Sequence, residues 1–280
     1  KRRERQDRSR GKDHMRKEID KFVEQRLISV VPSRRQIAHQ RREFYGFVHF
    51  TVNTFTGKEW GDGTEDEAIF NPVKMDADQW CDALCAAGMK GLILTCKHHD
   101  GFCLWPSRYT RHTVAASSYR EGKGDIVKEV AEACKRHGLD FGIYLSPWDR
   151  NNYLYGQGKP YDDYFVNQLT ELLTQYGPIF AVWFDGACGE GPNGKKQYYD
   201  WERYYEVIRG CSQMLVFMCA DQMCVGAEMR LEARENLSGV LYRFAQEIRK
   251  RFRKTAKSRM IRSLESALSV RQIRIWEAMN

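Results

Sequence analysis

Gly91-Leu-Ile-Leu-Thr-Cys-Lys97, followed at once by His98-His99-Asp100-Gly101, is the stretch on which the reading of the fold turns. An apolar run of this length without polar alternation predicts a strand buried on both faces, as in parallel sheets. The polar cluster then falls at the strand's carboxyl end. Closed barrels and open doubly wound sheets both keep their ligand-binding groups there.

On either side the same pattern recurs, a short apolar run followed by an amphipathic stretch. Upstream, residues 44–50 read as a first strand and 76–88 as a helix with Trp80, Leu84 and Ala87 along one side. Downstream, 125–138 reads as a helix that Asp125 caps and Gly138 stops. Residues 140–145 give a third strand, 161–176 a helix, 179–184 a fourth strand and 197–210 a further helix. A doubly wound sheet often carries a Gly-x-Gly-x-x-Gly phosphate loop after its first strand, and none is present here. The predicted class is therefore α/β, a TIM-like (β/α)8 barrel of which the first four βα units are recognisable.

The chain's 280 residues carry a net charge of +8, which by itself points to nucleic acid or another acidic partner. Its distribution argues otherwise. Residues 1–42 hold +9 and residues 211–280 hold +6, whereas 43–210 hold −7. The expected organisation is a basic tail over 1–29, the half barrel over 30–210, and a tail over 211–280 that lacks the repeating pattern and contains no proline. No apolar run approaches the roughly 20 residues that span a bilayer, and the N-terminus as given is too charged for a signal peptide. Neither nucleic acid nor membrane is expected as a partner. None of the nine cysteines forms a Cys-x-x-Cys pair, so zinc-ribbon and thioredoxin chemistry are not indicated, and buried free thiols are expected.

Candidate chemistry gathers after the four strands. His49, Asn53, Glu59 and Trp60 follow the first, His98, His99 and Asp100 the second, Tyr144 and Trp148 the third, and Trp183, Asp185 and Glu190 the fourth. Adjacent residues on an extended chain point to opposite sides, so His98 and His99 are not expected to share a metal ion. No His-Glu-x-x-His spacing offers a metal site either. Imidazoles, carboxylates and indoles converging on one site suit a neutral polyol, whose C–H faces stack on rings and whose hydroxyls take hydrogen bonds. Asp185 can be an ordinary turn aspartate, since Asp-Gly is a frequent turn pair. It can equally be the nucleophile of a retaining glycosidase, which needs two carboxyl groups about 5–5.5 Å apart.

At these residues the chain resembles glycoside hydrolase family 29, the α-L-fucosidases, and within it the subgroup acting on α1,3/1,4-linked fucose. The runs that carry the resemblance are Phe44-Tyr-Gly-Phe-Val-His-Phe50, Asn53-Thr-Phe-Thr-Gly-Lys-Glu-Trp60, Lys97-His-His-Asp-Gly-Phe102, Tyr144-Leu-Ser-Pro-Trp148 and Val182-Trp-Phe-Asp-Gly186. They cover about residues 30–210. The resemblance implies that Asp185 attacks the anomeric carbon and forms a covalent fucosyl-enzyme. It implies that His49, Glu59, Trp60, His98 and His99 bind fucose while Tyr144 and Trp183 line the site. It further implies a fucosylated oligosaccharide or glycoconjugate as substrate, no metal or organic cofactor, and a periplasmic or secreted protein.

Past Cys211 the resemblance stops. Family members carry a Pro-Asp-Val-Arg-Trp run there, then an Asn-Glu whose glutamate is the implied acid/base, and this chain has neither. Another reading frame can hold them. Asp221-Gln-Met-Cys-Val-Gly226 must be encoded by GAY CAR ATG TGY GTN GGN. Regrouped from the third base, this gives YCA RAT GTG YGT NGG, which permits Pro-Asp-Val-Arg-Trp. The same regrouping permits Gly-Asn-Glu through Ala227–Arg230 and Ala-Gly-Glu through Arg234–Asn236. A frame change between about residues 211 and 220 is expected, with Glu228 near the acid/base position but in the wrong frame.

Overall fold

Five short strands, β1 (Gly46–Val48), β2 (Gly91–Lys97), β3 (Asp140–Leu145), β4 (Ala181–Trp183) and β5 (Leu215–Phe217), form one parallel sheet in the order 1-2-3-4-5. They were located in a computed structural model that describes residues 34–211 and 215–217. The expected tail over 1–29 and most of the expected out-of-frame tail over 211–280, Glu228 included, lie outside the described residues. Strand order decides between the two α/β architectures. A doubly wound sheet reverses direction at a switch point. This one never does, so the described residues are the first part of a (β/α)8 barrel.

Among the described residues six α-helices accompany the sheet: α1 (Arg34–Gln40), the single turn α2 (Asn53–Thr56), α3 (Ala77–Ala86), α4 (Ile126–His137), α5 (Lys159–Gln175) and α6 (Trp201–Cys211). The capping chemistry sets their ends. Asp76 accepts from Gln79 N at 3.0 Å to start α3, and Asp125 accepts from Lys128 N at 2.9 Å to start α4. Gly138, at φ 71°, closes α4 by donating to Cys134 O. Along α4 the buried residues Ile126, Val127, Val130, Ala133 and Cys134 recur at helical spacing and face the sheet. Ile126, Val127 and Val130 each contribute roughly 1.5–3 kcal/mol when fully buried.

The strands alternate between two cores. Leu92, Leu94, Cys96, Phe141, Ile143, Leu145, Val182 and Phe184 point outward into the layer shared with the helices. Phe47, Ile93, Tyr144, Ala181 and Trp183 point inward, with Tyr45 and Phe180. The inner residues are buried, with Ile93 at 0 % exposure.

Three expectations are corrected. A fifth strand, Leu215–Phe217, pairs in parallel with β4 beyond the boundary drawn at residue 210. The apolar run 214–220 that contains it was passed over because it falls within the tail read as lacking the repeating pattern. His98 and His99 do not diverge, since their ring centroids lie 4.1 Å apart. β2 carries a register shift between Thr95 and Lys97 and ends there, so the alternation of an extended strand no longer applies. The thiols are not uniformly buried either: Cys81, Cys96, Cys103 and Cys134 are, but Cys85, Cys188 and Cys211 are exposed.

Candidate active site

The carboxyl ends of β1 to β4 bring most of the predicted residues into one cluster. His49 follows β1 and stacks on Phe47, with centroids 4.5 Å apart and planes at 25°. From it a chain of rings crosses the sheet end. His49 lies 5.9 Å from His98 and 5.8 Å from Tyr144, and His98 stacks on Tyr144 at 5.7 Å with an interplanar angle of 15°. His99 meets Trp148 at 4.9 Å and Trp60 at 5.8 Å. Trp183 packs edge-on against Phe47 at 5.4 Å, the same ring that touches Tyr144. Glu59 precedes Trp60 and is exposed, as is Trp60 at 54 %. Imidazole, phenol and indole faces thus form a continuous aromatic lining with an exposed edge at Trp60.

Asp185 sits within that lining. Tyr144 donates its hydroxyl to Asp185 Oδ2 at 2.7 Å, and His99 Nε2 lies 3.7 Å from the same oxygen. The backbone there turns tightly, with Asp185 at φ 64°, Gly186 at φ 87°, and Gly186 N donating to Phe184 O at 2.6 Å. A left-handed non-glycine residue costs about 1–2 kcal/mol, least for Asp and Asn, so the surrounding fold holds this carboxylate where it is. Burial pushes the Asp185 carboxyl above its ordinary range, and the Tyr144 hydrogen bond opposes that shift. Burial lowers both histidines, His98 to about 2 and His99 to about 4, with neighbouring imidazoles adding to the effect. Both rings are neutral at neutral pH.

A family model described as Alpha-L-fucosidase matches residues 29–250. The chain belongs to the α-L-fucosidase family. It is 46% identical over 170 residues to Alpha-L-fucosidase 1 of Arabidopsis thaliana, covering 61% of this chain and 34% of that one. A crystal structure of a glycoside hydrolase 29 family member from an unknown rumen bacterium shares 46% identity at a TM-score of 0.66, covering 70% of this chain and 37% of that one. A Ruminococcus gnavus GH29 fucosidase in complex with fucose shares 35% identity at a TM-score of 0.58, covering 65% of this chain and 41% of that one. The chain spans about a third of the length of the curated relatives it matches. The family match also runs past residue 210.

In this α-L-fucosidase family member, several supporting residues escape a reading of the sequence. Arg150 Nη1 donates to Gly61 O, and Asn151 Nδ2 donates to Gly63 O at 2.8 Å, so the loop after β3 grips the loop that presents Trp60. Gly63, at φ 87°, packs so closely on the Arg150 carbonyl that a Cβ would collide with it. Glu65 accepts from Asp62 N at 2.7 Å and Gly63 N at 2.9 Å and fixes the same turn. Trp148 donates Nε1 to Glu190 O at 3.0 Å and lies flat against Gly189, whose missing side chain makes the contact possible. Ser146 stands 2.7 Å from His99 Nδ1 and donates to Trp148 O at 2.8 Å. The one available signal was the density of polar residues in Ser146-Pro-Trp-Asp-Arg-Asn151. Among the described residues, no three His, Cys, Asp or Glu side chains converge as metal ligands would.

Proposed function

We propose that this chain carries the fucose-binding half of a retaining α-L-fucosidase site, with Asp185 as nucleophile. The observation that supports it best is the Asp185 carboxylate, hydrogen-bonded by Tyr144 and lined by neutral imidazoles and an indole at the ends of parallel strands. In this reading Asp185 attacks the anomeric carbon while the bond to the leaving oxygen breaks. Water then resolves the fucosyl ester with net retention. His49, Glu59, Trp60, His98 and His99 hold the sugar through its hydroxyls and its apolar face, while Tyr144 and Trp183 line the site beside the nucleophile. The substrate is a fucosylated oligosaccharide or glycoconjugate.

An aryl α-L-fucoside with a good leaving group tests this, because such a group departs with little protonation. The expected result is release of the aryl group and a fucosylated peptide containing Asp185 by mass spectrometry. Asp185→Asn should abolish both. Aryl release that persists in Asp185→Asn would remove Asp185 from the nucleophile's role.

A second reading is favoured by residues 211–280, which hold neither the Pro-Asp-Val-Arg-Trp run nor the Asn-Glu pair that the resemblance implies. Here the same cluster binds fucose without turning it over, for want of an acid/base carboxylate. The proposed frame change accounts for that lack. If Leu215–Phe217 is in the native frame, the change falls between residues 218 and 220. The nucleotide sequence across those codons decides it, and an uninterrupted native frame encoding the present residues would end the proposal.

A further inference from the structure

We infer that Ser146 is a positioning residue that sets the tautomer of His99, leaving His99 Nε2 as a hydrogen-bond acceptor for a sugar hydroxyl beside Asp185. The argument is a count of protons. A serine hydroxyl has one proton to give, and Ser146 Oγ gives it to Trp148 O, a carbonyl that can only accept, at 2.8 Å. The 2.7 Å contact between Ser146 Oγ and His99 Nδ1 must then be donated by the ring. Tyr144 also borders Ser146, but its own proton goes to Asp185 at 2.7 Å, so its oxygen can only accept from Ser146, and in that arrangement too the His99 ring must be the donor to Ser146 Oγ.

His99 is neutral near pH 7, so protonated Nδ1 leaves a lone pair on Nε2. That lone pair faces Asp185 Oδ2 at 3.7 Å, a distance at which no direct hydrogen bond forms. Two acceptors side by side are poorly matched to each other and well matched to an incoming donor. Ser146 is fully buried, so the relay is held inside the fold rather than by solvent. The ligand class that fits is a sugar with a free hydroxyl at this position. A deoxy or O-methylated analogue cannot donate there.

The sugar half of this inference rests on the fucosidase reading, whereas the tautomer half does not. The test uses the full chain labelled with ¹⁵N-histidine and long-range ¹H–¹⁵N correlation spectra, without and with L-fucose. The unliganded protein should show His99 protonated at Nδ1 and unprotonated at Nε2. Ser146→Ala should move the ring to the Nε2-protonated form or to a mixture, and weaken L-fucose binding about tenfold, the value of one lost hydrogen bond. Ser146→Thr, which keeps the hydroxyl, should restore the wild-type pattern. A wild-type His99 protonated at Nε2, or an unchanged tautomer in Ser146→Ala, would overturn the assignment. If Ser146→Ala does not fold, the wild-type and Ser146→Thr spectra still decide it. A correct tautomer with no response of Nε2 to L-fucose would instead count against the fucose reading.

Discussion

Tyr144 and Asp185 show how far a single contact tunes the site. The 2.7 Å hydrogen bond stabilises the carboxylate form of Asp185 against a burial that disfavours it. With Asp185 as the proposed nucleophile, attack on carbon requires the carboxylate, so activity should be present above the Asp185 pKa and fall as pH drops through it. Tyr144→Phe removes the opposing influence, raises that pKa further, and should move the acid limb of the kcat/KM profile to higher pH. Hydrogen bonds to charged groups are worth about 1.5–3 kcal/mol, so the loss at neutral pH should be roughly 10- to 150-fold. A profile measured with an aryl fucoside checks this, and an unmoved acid limb would assign Tyr144 a purely steric role. Asp185, Tyr144 and the histidine pair were legible in the sequence because they sit directly at strand ends. Arg150 and Asn151 were not, since their partners Gly61 and Gly63 lie 89 and 88 residues away and no local pattern encodes such a meeting.

β2 is tied to the loop after β3 by a buried pair that the sequence concealed, with Gln168 of α5 as a third partner. Lys97 reads as the last residue of an apolar strand, yet the register shift at the end of β2 turns its ammonium outward, 3.0 Å from Asp149 and 2.9 Å from Gln168. The ammonium lies over the rings of Tyr164 and Phe165 at 5.1 and 5.5 Å. Asp149 also accepts from Asn151 N at 3.1 Å, Asn152 N at 2.9 Å and Tyr164 OH at 3.3 Å, so it ties the loop after β3 to the same anchor. Both members of the pair are fully buried, and removing one leaves an uncompensated charge, at a cost of about 3–5 kcal/mol. Lys97→Met and Asp149→Asn should each lower the unfolding free energy by about that amount, read by urea denaturation. Lys97→Met with Asp149→Asn should recover part of the loss, since no buried charge remains. Recovery should be incomplete because the loop caps change as well. Two independent, additive losses would show that the pair is not coupled. Strand and helix existence was legible from periodicity and caps, as Gly91–Lys97 and Asp125 illustrate, but the direction of one bulged lysine was not.

At the scale of the whole molecule, four βα units were legible from recurrence alone, because each apolar run was followed by its own amphipathic helix, whereas the fifth strand and the 1-2-3-4-5 order were not. What recurrence could not show is how buried titratable groups, at the strand ends and in α1, couple the fold to pH. Three buried histidines, His39 and His99 with pKa values near 4 and His98 near 2, stay neutral in the native protein as pH falls below about 6.5, where the unfolded chain takes up a proton at each. Their stability is full above pH 6.5 and is lost toward pH 4. Asp100 acts in the opposite sense. Burial raises it to about 6, so the native protein holds a proton that the unfolded chain releases above about 3.8, and its contribution fades as pH rises to 6. Near pH 5 the unfolded state therefore binds three protons to the native state's one at these four sites. Stability should rise with pH there by roughly 3 kcal/mol per unit. Asp100→Asn removes the opposing proton and should steepen the slope to roughly 4 kcal/mol per unit. Urea unfolding between pH 4.5 and 6.5 measures both slopes. Stability that is flat or increases toward acid would mean that these imidazoles are already charged in the native fold.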